Sequence, residues 1–346
     1  MKLIFVCVGW AAAAAYPAGL GTGPSACAAC HQTEVQGFAG SGMTHTLASA
    51  KDSAVLRDNP KLAVRIAPYT YAVTREGDES FLSVTDGKET LRLPVVWGVG
   101  QGASRQSFLF RLEDRWYESR VSYFAALRGL DITPGMRALT PPQSLVEAAG
   151  RVVNTPDTSQ CFDCHASNAV KAPATGAAAI TPGVQCSRCH VGSEAHLEAA
   201  RDRGPGTAMR KLGALKAEEM SEFCGQCHRT WNQVAVSGPH GIENVKFPAY
   251  RLANSKCWDA ADRRIRCTAC HDPHGALEPS PGAYDAKCTA CHSAAARRNG
   301  ASTQLCRVAA RDCVKCHMPK LELPEEHRTF TDHWIRIARA GQSYPE

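Results

Sequence analysis

One pattern recurs along this chain and limits what it can become: two cysteines separated by two residues, with histidine directly after the second. It stands at 27–31 (CAACH), 161–165 (CFDCH), 186–190 (CSRCH), 224–228 (CGQCH), 267–271 (CTACH), 288–292 (CTACH) and 313–317 (CVKCH). With 17 cysteines and 13 histidines in 346 residues, chance supplies about 0.03 copies of such a string. The motifs use 14 cysteines and leave Cys7, Cys257 and Cys306. Zinc sites use paired Cys-x-x-Cys units and give no reason for the histidine. A thioredoxin-like pair occurs once, within a βαβ unit. A disulfide framework leaves the histidine unexplained too.

Covalent haem c attachment explains all three residues. Two thiols on one helical turn, Cys27 and Cys30, Cys161 and Cys164, Cys186 and Cys189, Cys224 and Cys227, Cys267 and Cys270, Cys288 and Cys291, and Cys313 and Cys316, reach the two vinyl groups of one porphyrin. The next residue falls beneath the iron as its proximal ligand. His31, His165, His190, His228, His271, His292 and His317 take that role, giving an expectation of seven covalently bound haems c.

The first residues read as an export signal. Met1-Lys2 is followed by an apolar stretch at 3–15 and then by small residues, too short for a confident membrane span. Cleavage between Ala13 and Ala26 would remove Cys7; an uncleaved anchor is the other reading. The expected location is periplasmic, or otherwise on the extracytoplasmic side of the membrane, with membrane contact only through partners or that anchor. The net charge of +6 does not signal nucleic acid. Two propionates per haem, offset by one ferric charge, move the total to roughly −1 oxidised and −8 reduced. Arg263, Arg264, Arg266, Arg297 and Arg298 suit those propionates as forked donors.

The expected organisation is a leader at 1–22, a first haem-binding segment at 23–60, a haem-free β-rich subdomain at 61–140 and a six-haem domain at 141–346. In the haem-free part, 69–75, 80–86, 89–97, 105–112 and 116–124 are β-branched and aromatic runs. Turn residues at 76–78 and 86–87 separate the first three. Residues 133–142, rich in Pro and Gly, return the chain to the haem region. There, short helices are expected at 143–150, 193–203 and 215–228, and a surface loop at 172–183. The fold class is therefore a multihaem cytochrome c fold: mostly short α-helices and irregular loops around stacked haems, with a small antiparallel β-rich insert. Motif spacings of 21 to 43 residues in the six-haem part leave little polypeptide between consecutive cofactors.

Six histidines lie outside the motifs: His45, His196, His240, His274, His327 and His333. As a set they read as distal ligands of low-spin, bis-histidine irons suited to electron transfer. Six cannot serve seven irons. One haem must take another ligand or keep an open position. Cys257 and Cys306 read as a disulfide in an oxidising setting, two separate buried thiols being the other reading.

The residues CAACHQTEVQGFAGSGM, CSRCHVGSEAH, CGQCHR, CTACHDPHG and CVKCHMPK…HRTFTDHWIR resemble multihaem cytochromes of the cytochrome c554 type, over most of the mature chain. In that family the first motif is followed by a serine-x-histidine ligand. Met43 stands at the corresponding position, with His45 two residues on. The resemblance thus makes either Met43 or His45 a distal ligand. It also implies that role for His196, His274, His327 and His333, with less support for His240. Two functions follow as expectations. The first is an electron carrier between redox protein partners, a donor and an acceptor, without a substrate of its own. The second is a reductase of a small nitrogen or sulfur compound at one haem with an open or weakly held sixth position.

Overall fold

A computed structural model describes residues 24–153, 161–167, 180–202, 204, 209–294, 306–339 and 341–345. The expected leader, Cys7, Arg297, Arg298 and most of the expected loop at 172–183 lie outside them. All thirteen histidines are described.

The β-rich part is larger than the small insert expected: a ten-stranded antiparallel sheet. The strands are β1 (Leu47–Ser49), β2 (Lys61–Ile66), β3 (Tyr69–Glu76), β4 (Glu79–Thr85), β5 (Thr90–Val99), β6 (Arg105–Leu112), β7 (Arg115–Ser119), β8 (Val121–Phe124), β9 (Gly129–Ile132) and β10 (Gly150–Val153). A meander from β2 to β7 ends on β10, while β1 pairs with β5 and β8 joins β6 to β9. The expected runs correspond to β3 to β8. The surplus comes from short strands β1 and β10, whose pairing partners lie far along the chain, and from β2 and β9. Gly77 and Gly87, at φ +61° and +91°, make the tight reversals at 76–78 and 86–87.

Alternation builds the core. Leu82 and Val84 on β4, Tyr71 and Val73 on β3, and Phe108 and Phe110 on β6 turn to one face and are buried. At β5 a bulge between Val95 and Trp97 interrupts this register. Val95 opposes Phe110 and stays in the main core, whereas Trp97 opposes Leu109 and joins a second cluster on the other face. One extra residue re-aims a side chain. That second cluster holds Leu47, Phe162 and Ala166, so the bulge seats the 161–165 motif against the sheet.

The remainder is short helices and turns, as expected: Leu145–Ala149, Ser193–Arg201 and Ala217–His228 match the three helical expectations closely. Ser144 caps the first by accepting from Glu147 N, and Thr230 with Gln233 form a capping box for Trp231–Ser237. A hairpin of β11 (Lys320–Leu323) and β12 (Arg328–Thr331) follows the last motif.

Candidate haem-attachment sites

Every motif closes one helical turn. His31, His190, His271 and His292 donate their backbone N–H to the carbonyl of the first cysteine, at 2.8, 2.8, 2.9 and 2.9 Å. The motifs at 224–228 and 313–317 lie wholly within helices, and 161–165 is helical as well. Cysteines three apart on one turn share a face, as two thioethers to one porphyrin require.

The spare histidines sort into two groups. Three of them meet a motif histidine: His196 with His31 at 6.4 Å between ring centroids, His274 with His190 at 6.0 Å and His333 with His271 at 6.2 Å. Ordinary aromatic contacts span this range. Here, though, each of these three pairs joins one motif residue to one residue outside the motifs. Two metal–nitrogen bonds of about 2.0 Å, and about 1.1 Å from each nitrogen to its ring centre, give about 6 Å. The residues therefore fit an iron held between each pair. The other three are placed differently. His45 donates from Nε2 to the Ala39 carbonyl at 3.1 Å, His327 from Nε2 to Asp131 Oδ2 at 2.8 Å, and His240 is exposed. Met43 lies half-buried in the turn Gly42–His45, its carbonyl accepting from Val184 N at 3.0 Å.

The ring nitrogens are oriented for iron. His165 Nδ1 donates to Thr46 O, His317 Nδ1 to Arg336 O and His333 Nδ1 to Thr331 O, each at 3.0 Å. Each bond fixes the tautomer and turns Nε2 outward. Burial holds His165, His190, His228 and His271 below the usual imidazole range. It pushes His333 down to about 4, with His271 adding to the effect. All five rings are thus neutral near pH 7, the form that binds metal.

Thiols of different motifs also meet. Cys27 lies beside Cys186, Cys164 beside Cys227, Cys224 beside Cys267 and Cys288 beside Cys313. Cys189 lies within electrostatic reach of Cys227, and Cys270 of Cys288. With motifs numbered along the chain, the neighbours run first, third, fourth, fifth, sixth, seventh, and the second branches from the fourth. The consecutive order expected from spacing is broken at its start.

Two further sets of residues make the following contacts. Arg263 and Arg266 donate to the carbonyls of Gly213 and Leu215, and Arg264 pairs with Asp262. Cys257 and Cys306 are unjoined; Cys306 Sγ accepts from Ala309 N, and Cys257 feels the charges of Cys288 and Cys291.

Comparison with known proteins agrees with this chemistry. Residues 140–191 match the family model described as cytochrome c554 and c-prime. Multiheme cytochrome MtrA of Shewanella baltica (strain OS185) is 28% identical over 153 residues, covering 43% of this chain and 38% of that relative. The chain thus aligns with well under half of that protein's length. The crystal structure of outer cell wall cytochrome OcwA has a similar fold, with a TM-score of 0.51, 13% identity, and coverage of 91% of this chain and 79% of that one. The chain resembles multihaem cytochromes c, in sequence over part of its length and in fold over most of it. Among the described residues no helix is long and apolar enough to cross a membrane.

Proposed function

We propose that this multihaem cytochrome c carries seven haems, one at each Cys-x-x-Cys-His motif, and passes electrons along them between a donor and an acceptor protein outside the cytoplasm. The observation that carries this reading is the triple pairing of His31 with His196, His190 with His274 and His271 with His333. A bis-histidine iron is coordinatively closed, so it exchanges electrons rather than binding substrate. The haem supplies the redox centre; the chain supplies thioether cysteines, axial imidazoles with oriented nitrogens, and a path from motif to motif. Contacts between the thiols of neighbouring motifs support a continuous path, entered or left at the first and seventh motifs, with the second as a side branch against the sheet.

One observation favours a second reading, reduction of a small nitrogen or sulfur compound. His45 and His327 spend Nε2 on Ala39 and Asp131, which leaves fewer histidines than irons. Three pairs leave four of the seven haems without a distal histidine in place; Met43 would fill one of these positions, and an open position at another would take the substrate.

Low-temperature EPR of the oxidised holoprotein, with and without nitrite or cyanide, tests both. Low-spin signals that ignore added anion support the carrier. A high-spin ferric signal that shifts on adding either anion moves the assignment to the reductase. Absence of any bis-histidine signal would sink the pairing itself.

A further inference from the structure

Beyond the attachment sites, one buried charged network stands out. Arg251 is fully buried, on the helix Pro248–Ala253, and its fork donates from Nε and Nη2 to Asp332 Oδ1 and Oδ2 at 2.9 and 3.0 Å. Its third arm, Nη1, donates to the carbonyl of Pro345 at 2.9 Å. The guanidinium lies between two aromatic faces, 4.9 Å from the Trp334 ring centre and 4.5 Å from that of Tyr344. Tyr344 Oη donates to the buried Asn244 Oδ1 at 2.6 Å. Asp332 is itself fully buried and also accepts from Trp334 N and Arg336 Nη1. Every arm of the guanidinium and both carboxylate oxygens are therefore engaged, as a buried ion pair requires.

The network grips a loop that serves two attachment sites. His333, next to Asp332, faces His271, and its carbonyl accepts from Ser255 Oγ, which in turn accepts from Ile335 N. Three residues further on, Arg336 O accepts from His317 Nδ1, while Arg336 N and Ala338 N donate to the carbonyls of His317 and Cys316. One face of the loop thus presents the histidine opposite His271. The other orients the proximal histidine of the last motif.

We propose that Arg251 and Asp332, clamped by Tyr344 and Pro345, are positioning residues that set the ligation of two haems at once, those of the fifth and seventh motifs. This rests on the bis-histidine reading of His271 and His333. Loosening the loop withdraws His333 from the first of these irons. It also weakens the Nδ1–H bond of His317, making that imidazole a poorer donor and raising the potential of the second iron.

The test uses holoprotein carrying His333→Ala, Arg251→Met or Tyr344→Leu. Haem content, EPR of the oxidised state, carbon monoxide binding in the reduced state and potentiometric titration are read for each. His333→Ala should convert a single low-spin signal and gain about one equivalent of carbon monoxide binding. If it converts none, the bis-histidine reading of this pair is wrong, whatever Arg251 does. Arg251→Met and Tyr344→Leu should keep all haems attached, weaken that same signal and raise the potential of one further haem. Tyr344→Leu leaves the ion pair in place and carries the test should Arg251→Met not fold. With His333→Ala behaving as stated, three results overturn the proposal: both clamp variants leaving every haem as in the native protein, only one haem responding, or all seven shifting together.

Discussion

Gly183 offers a sharp prediction, because two separate costs meet at one residue beside a candidate site. Its φ of +72° lies in the left-handed region, and an added Cβ would stand 2.0 Å from Thr44 O and 2.8 Å from Thr44 C. The obstacle is backbone, held by Ser41 capping the turn Gly42–His45 and by Val184 N donating to Met43 O. It cannot swing aside as a side chain would. The conformational cost of alanine there is about 1–2 kcal/mol, and forcing packed backbone apart adds about 1–3 kcal/mol, for a total of about 2–5 kcal/mol. For a chain of this size that lowers the apparent Tm by about 3–7 °C. Gly183 N also donates to His165 O at 3.0 Å, so the displacement reaches the second motif. Gly87→Ala is the control: its φ is +91°, yet nothing lies within 4 Å of the added carbon, leaving the conformational cost alone, about 1–2 kcal/mol. Thermal unfolding of both holoproteins, followed by circular dichroism, compares them. If Gly183→Ala falls no further than Gly87→Ala, the 183–184 segment does not lie against Thr44 and the packing at the second motif is wrong.

Three further outcomes follow from the same contacts. Arg251→Met should destabilise by less than the ~3–5 kcal/mol of a buried carboxylate left with no partner, because Arg336 and the Trp334 N–H still hold Asp332, whereas Arg251→Met with Arg336→Met should reach that range; denaturant midpoints of the two variants decide it. Asp131 is partly buried, which raises its pKa, but the Ile132 N–H, His327 and Arg137 outweigh burial and hold its carboxyl below the ordinary range. A depressed carboxyl contributes stability that is complete above the unfolded value, about 3.9, and is lost as pH falls through the lower folded value. Asp131→Asn should therefore flatten the loss of Tm between about pH 4 and pH 2, as measured by thermal scans across that range. Finally, thiol titration of unfolded, unreduced holoprotein decides Cys257 and Cys306: both react if they stay unjoined as in the structure, and neither reacts if they are bridged.

Much of this was legible in the sequence where the signal is local. Haem attachment needs five adjacent residues, so its motifs stand out without any fold. Strands β3 to β8 were legible from alternation and from turn residues such as Gly77 and Gly87. Strand β10 was not: Gly150–Val153 directly follows a helix, and only its pairing with Trp116–Ser119 makes it a strand. The bulge beside Trp97 was equally hidden, because it depends on what β6 offers opposite. Histidine pairing is the clearest case of all. His196 and His31 are far apart in the chain, and a histidine in sequence carries no mark of the ring it will face. The arginines near 263–266 were read as propionate partners from their charge and forked donors; the carbonyls of Gly213 and Leu215 and the Asp262 carboxylate accept from part of those forks. The Arg251–Asp332 clamp gave no sequence signal either, since its partners come from a helix, a loop and the segment at 344–345.

A stoichiometric reductive titration of the holoprotein, under anaerobic conditions and followed at the haem α-band, tests the electron-carrier reading most directly. Seven electrons per chain should be taken up, in steps that each bleach or raise a haem band, and all seven should return to an added oxidant protein. Uptake of fewer than seven with a strong reductant in excess, or haems that the donor reduces only when a small mediator is added, would contradict a connected chain of seven haems.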